Sequence, residues 1–130
     1  MVCGSIGYGG IDKIRRMYSL LLEKGFDIVD HLGMDYSNIQ DFRDKKVLSQ
    51  QIVSHDLQFV KKADVIVVVA GKPSYGTAIE MYIAKNSNKK VVLLATDPVP
   101  SPWPVNFSDY VVRSKEDLII LLEALTKEID

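Results

Sequence analysis

The sequence predicts an α/β protein built on a doubly wound parallel sheet, and three observations carry that expectation. Residues 65–70, Val65-Ile66-Val67-Val68-Val69-Ala70, form an uninterrupted apolar run, the pattern of a strand buried on both faces. Short runs rich in β-branched residues alternate along the chain with segments of helical periodicity. Two strand-to-helix junctions, 4–10 and 70–76, are rich in glycine and serine.

Each element follows in order. Met1-Val2-Cys3 is a very short opening strand, and 4–10 is a glycine-rich loop. Residues 11–24 place Ile11, Ile14, Tyr18, Leu21 and Leu22 on one helical face, with Gly25 suited to end the helix. Phe26-Asp27-Ile28-Val29 reads as a second strand leading to Asp30-His31, and 33–44 as a polar loop over the site. A helix is expected over 45–62, a third strand over 65–70 and a helix over 76–86. A fourth strand follows at 91–95. Four prolines and Trp103 make 96–107 irregular. Tyr110-Val111-Val112 is a fifth strand, and Ser114 caps a last helix running through Leu125, with Asp117 three residues on. The length suits five strands in the flavodoxin-like order 2-1-3-4-5, with helices on both faces. That order has its switch point between strands one and three, so loops 4–10 and 70–75 face one crevice. Residues 1–130 are read as a single domain.

Composition narrows the function classes. Hydrophobic content of 47% and charged content of 25% are ordinary for a globular protein. A net charge of −1 offers no electrostatic basis for binding a nucleic-acid polymer or a membrane surface. No apolar run approaches the ~20 residues of a transmembrane helix, and no signal peptide is expected. One cysteine, Cys3, excludes an internal disulfide and fits a reducing cytoplasm. Two histidines and one cysteine, at no metal-like spacing, do not make a zinc site.

Two carboxylates stand out. Glu80 is expected in the first turn of the helix after the central strand, beside the crevice, where a carboxylate can be a nucleophile or an acid/base. Helix-dipole complementarity alone also accounts for an acid there. Asp56 shares a helical stripe with Val53, Leu57 and Val60, a costly place for a charge unless it is paired. Such a site can also raise a carboxylate's pKa. The loop 4–10 can present backbone N–H groups to an anion, although its glycines match neither the dinucleotide fingerprint nor a Walker A loop. Asp64 reads as a turn-forming residue and His55 as a surface residue. Tyr18, Tyr82 and Phe59 read as core or half-buried side chains.

Four motifs, in order, carry a resemblance. Cys3-Gly4-Ser5-Ile6 followed by Gly9-Gly10, the pair Asp30-His31, His55-Asp56-Leu57 followed by Ala63-Asp64-Val65, and Pro73-Ser74-Tyr75-Gly76 followed by Glu80 together resemble the nucleoside 2-deoxyribosyltransferase superfamily. Within it the chain is most similar to the small 2′-deoxynucleoside 5′-phosphate N-hydrolases. The resemblance implies that Glu80 attacks C1′ of the deoxyribose and forms a covalent ester, as in retaining glycosidases. It implies that Asp56 assists the departing base or orients the sugar. Ser5 and Ser74, with Cys3, Gly4, Ile6, Gly9 and Gly10 of the first loop, would hold the 5′-phosphate end. Tyr8, Tyr18, His31 and Gly76 complete the implied substrate contacts. No metal or organic cofactor is implied, and a homodimer or larger assembly is.

The chain departs from that pattern in three places. Gly7-Tyr8 stands where the resembled loop carries an arginine, leaving Arg15 or Arg16 as substitutes. Met1 stands where a tyrosine opens the first strand, with Tyr8 as the alternative phenol. No serine loop of the kind a partner subunit donates is recognisable in 98–108. The expected activity is hydrolysis of 2′-deoxynucleoside 5′-monophosphates to base and 2-deoxyribose 5-phosphate. Base exchange by a deoxyribosyltransferase and a nucleotide-binding module without turnover are the alternatives. The segment Gly76-Thr77-Ala78-Ile79-Glu80 is also similar to that of some transferases.

Overall fold

A computed structural model describes residues 1–7 and 10–129. Its elements run β1 (Val2–Cys3), α1 (Gly10–Glu23), α2 (Lys46–Lys62), β2 (Val65–Val69), α3 (Tyr75–Asn86), β3 (Lys90–Leu94), α4 (Pro102–Asn106), β4 (Tyr110–Val112) and α5 (Lys115–Ile129). The four strands form one parallel sheet in the order β1-β2-β3-β4. This is the expected flavodoxin-like order without its second strand.

The missing strand has an identifiable cause. The segment 26–29 does run beside β1, but the Tyr18 hydroxyl stands between them. It accepts from Val2 N–H at 2.9 Å and donates to the Val29 carbonyl at 2.9 Å. A phenol thus occupies the place of a direct ladder bond, and the pairing that defines a strand does not form. The sheet therefore has four strands among the described residues rather than five.

Two apolar layers sandwich the sheet. Val2, Val67, Val92 and Leu94 point to α1 and α5, meeting Ile14, Met17, Leu118 and Leu122. Cys3, Ile66, Val68 and Leu93 point the other way, meeting Val60 of α2 and Met81 and Ala84 of α3. The alternation follows from the two-residue period of a strand. Met17 belongs to the buried face of α1, and Leu22 lies at its edge and is exposed. The helix ends where expected, with Gly25 at φ +87°, a conformation that favours glycine.

Three further expectations are adjusted. The stretch 96–107 contains α4, because Ser101 caps it and Pro102 sits where a missing N–H costs nothing. Ser74, with its side chain accepting from Thr77 N–H, starts α3 at Tyr75 and so moves Glu80 beyond the first turn. The last helix is capped by Ser114 as expected but continues to Ile129.

Candidate active site

The site lies at the carboxyl edge of the sheet, on the α2/α3 face. Glu80 is half-buried on α3 and points back toward the helix start, as helical side chains do. Its Oε2 accepts from the Cys3 thiol at 3.7 Å. Its Oε1 lies 3.9 Å from where a Cβ on Gly76 would sit, beside the Ser74 hydroxyl at 4.0 Å. Ser74, Gly76 and Glu80 therefore share one corner. Cys3 is 1% exposed and stands behind Glu80, so its contact is with the carboxylate and not with the crevice.

Asp56 is more central than the sequence implied. Ile52 and Val60, one turn before and one turn after it, are the buried positions of α2, whereas Val53 is exposed. The carboxylate thus sits mid-stripe. His55 Nδ1 meets Asp56 Oδ1 at 3.1 Å. The charge of Asp56 acts on Cys3, His31, Tyr36 and Glu80 alike, which places it at the hub of the cluster. Among the described residues, no three His, Cys, Asp or Glu side chains are grouped to hold a metal ion.

The electrostatics follow from this grouping. Burial, and then the neighbouring Asp56 charge, push the Glu80 carboxyl up to about 8, the Cys3 hydrogen bond opposing them. A shift of that size, caused by burial and a specific charged neighbour, marks a candidate functional group. Burial likewise raises the Cys3 thiol, with the Glu80 charge adding to it. Burial lowers His31, so its imidazole is neutral near pH 7 despite the pull of Asp56 and Asp30.

His31 is held in one tautomer by the hydroxyl that displaced the strand. Tyr18 has one proton to give, and the Val29 carbonyl can only accept it. With that proton on the Val29 carbonyl, His31 Nδ1, at 2.9 Å from the hydroxyl, is the donor and Nε2 is left as an acceptor. Tyr18 is buried and has a supporting place behind the site. Asp30 is exposed and bonds the Leu32 N–H two residues on, so the pair Asp30-His31 splits into a turn residue and a site residue.

Tyr36 is the residue that sequence reasoning missed. It is half-buried in the loop between α1 and α2 and packs edge-on against Phe42. Its phenol is raised to about 12, by burial first and then by Asp56, Glu80 and Cys3. Nothing local in a polar loop distinguishes it; only the return of that loop over α2 brings it to the carboxylates.

The first loop approaches the same edge from the α1 face. Gly4, Ser5, Gly7, Gly10, Lys13 and Lys72 contribute to a cleft of about 110 Å³. Gly10 is obligatory, since a Cβ there would collide with the Ser5 carbonyl. The amides of Gly10 and Ile11 are already bonded to the carbonyls of Gly7 and Ile6, so they are not free for an anion. Ile6 packs into the α1-side core. Tyr8 and Gly9 lie outside the described residues. Arg15 pairs with Asp35 at 3.1 Å, and the cation that lines the cleft from α1 is Lys13.

No curated protein matches this chain at a significant level. Residues 4–120, however, match the nucleoside 2-deoxyribosyltransferase family. That span runs from the first loop through the edge strand β4 and includes both carboxylates. With its parallel sheet, its glycine-bearing loops and its carboxylates at the carboxyl edge, the chain belongs to the nucleoside 2-deoxyribosyltransferase family, whose members are enzymes acting on nucleosides.

Proposed function

We propose that this protein cleaves the N-glycosidic bond of 2′-deoxynucleoside 5′-monophosphates, giving free base and 2-deoxyribose 5-phosphate. The observation that carries this reading is the pairing of Glu80 with Asp56 at the carboxyl edge of the sheet. Two neighbouring carboxyls, of which Glu80 is held protonated near pH 7, can supply both a nucleophile and an acid.

In this mechanism the proton held by Glu80 passes to Asp56, Glu80 Oε1 attacks C1′ as the C1′–N bond breaks, and the bonding pair leaves with the base. The base takes the proton of the dyad from Asp56. Water then attacks C1′, gives its proton to Asp56 and releases Glu80. The Cys3 thiol occupies Oε2 and leaves Oε1 toward Ser74 and Gly76, where the sugar would sit. Ser5, Ser74 and Lys13 would bind the 5′-phosphate, Lys13 supplying the positive charge expected of an arginine. His31 Nε2 would accept from a sugar hydroxyl.

Base exchange is the second reading, favoured by the family match itself. It uses the same covalent ester, intercepted by a second base in place of water. We further propose a homodimer formed through the stripe Tyr75, Ile79 and Tyr82 of α3 with Trp103 of α4. Tyr75 is 93% and Trp103 71% exposed, and Trp103 stacks on Phe107 next to Tyr82. A reducing, cytoplasmic setting suits the free thiol of Cys3.

The test is product chromatography with a panel of deoxynucleosides and their 5′-monophosphates, with and without a second base, beside Glu80→Gln. Free base from the monophosphates supports the hydrolase. A new nucleoside formed only with added base makes it a transferase. No product from any of them overturns both readings, and substrate binding detected by thermal shift would then define a binding module.

A further inference from the structure

The contact between His55 and Asp56 has no ready structural explanation. Adjacent residues on a helix diverge and do not face each other. Here both side chains turn toward their common boundary, and His55 Nδ1 lies 3.1 Å from Asp56 Oδ1 with 25% and 14% of the side chains exposed. The imidazole is held from its other side as well. It packs against Phe59 at 4.8 Å between ring centroids, and the Lys62 ammonium lies 5.0 Å over the far partner's ring. The ring is therefore fixed by packing one turn along the same helix.

We propose, building on the glycosidic reading above, that His55 is a positioning residue that fixes the orientation of Asp56. An ionised carboxylate only accepts, so His55 Nδ1 is the donor in this contact. Asp56 Oδ1 is then committed to His55 in both charge states of the carboxyl. A proton taken up by Asp56 is confined to Oδ2, the oxygen left for Glu80 and the departing base. Without that tie the carboxyl rotates freely about χ2 and presents its proton only part of the time. Glu80, Tyr36, His31 and Cys3 face Asp56 from the other elements, but the donor that ties Oδ1 in the structure is His55.

Two substitutions separate the donor from the ring. His55→Phe keeps the packing on Phe59 and removes the donor; His55→Asn places an amide N–H near the Nδ1 position and removes most of the ring. Steady-state kinetics on 2′-deoxynucleoside 5′-monophosphates should show kcat lowered about tenfold or more in His55→Phe, with KM near the wild-type value. His55→Asn should recover most of that loss. An active wild type with an indifferent His55→Phe, or a His55→Asn as poor as His55→Phe, overturns the inference and leaves the glycosidic reading standing. A wild type inactive on every substrate overturns both. Should His55→Phe melt early, 15N NMR of the wild-type imidazole decides: a protonated Nδ1 is expected, and a bare Nδ1 overturns the inference.

Discussion

Glu80 and Asp109 are both carboxylates attached to the α3 side of the sheet, and their surroundings are opposite. Asp109 stands at the amino edge, where Lys85 Nζ donates to Oδ1 and the Val91 N–H donates to Oδ2 at 2.8 Å. Burial opposes its ionisation, but these two donors hold the carboxyl below its ordinary value. Glu80 stands at the carboxyl edge with a thiol for a donor and a second carboxylate for a neighbour. One site matches charge with charge and ties α3, β3 and the start of β4 together. The other sets two carboxyls side by side, which opposes the ionisation of Glu80 and makes a proton easy to move. Mismatched electrostatics of that kind persist where chemistry uses them.

The largest expected effect that sharpens this contrast is Glu80→Gln. Turnover should fall by ~10³-fold or more, read by base release under saturating substrate. Stability should move the other way. A carboxyl raised to about 8 in the folded state makes the protein lose stability as pH rises from the unfolded carboxylate range toward 8. The substitution should abolish that slope, so that melting curves of the two proteins separate with rising pH. The wild-type rate itself should decline above about pH 8, where the dyad has lost its proton.

Asp56→Asn comes next, with a drop of roughly 10²–10⁴ in kcat, the range of a lost general acid. Removing the neighbouring charge should also let Glu80 ionise at lower pH, and with no second carboxyl to hold a proton the alkaline limb of the rate profile should disappear. A profile that stays in place would dissolve the pairing on which the comparison rests.

Asp109→Ala should break the other half of the contrast. Leaving Val91 N–H and Lys85 without their acceptor should cost about 2 kcal/mol in chemical denaturation and leave kcat unchanged. Because the Asp109 carboxyl is depressed, its contribution is present above the unfolded carboxylate range and lost as pH falls through the folded value. The difference between the variant and the parent should therefore close in acid. The smallest effect is expected at Thr77, whose buried Oγ1 has no hydrogen-bond partner among the described residues. Thr77→Val should be neutral or up to about 1 kcal/mol more stable; a clear loss of stability would mean the hydroxyl has a role beyond the contacts described.

Legibility in the sequence followed the range of the interactions. Val65-Ile66-Val67-Val68-Val69 could hardly be anything but a central strand, and Gly25 and Ser114 marked helix ends through local backbone chemistry. Glu80 and Asp56 were visible because a carboxylate breaks an apolar or turn pattern that a window of a dozen residues reveals. The segment 26–29 has the composition of a strand and lacks the pairing. Its fate rests on Tyr18, at least eight positions earlier, whose hydroxyl reaches between two backbones. The basic residue of α1 that lines the first-loop cleft, Lys13, was hidden for a related reason. On α1 three basic residues lie within four positions, and Asp35 from a distant loop decides which of them is occupied elsewhere.

By itself the sequence determined the alternation of elements, the parallel sheet and the two glycine-bearing loops at its carboxyl edge, since all of these depend on periodicity and on residues close in the chain. Only the tertiary structure decided that Cys3 stands behind Glu80, that Asp56 faces four groups at once, that Tyr36 joins them and that one strand gives way to a phenol. Those outcomes depend on side chains from separate elements meeting at one sheet edge, where burial weakens screening and turns proximity into altered charge.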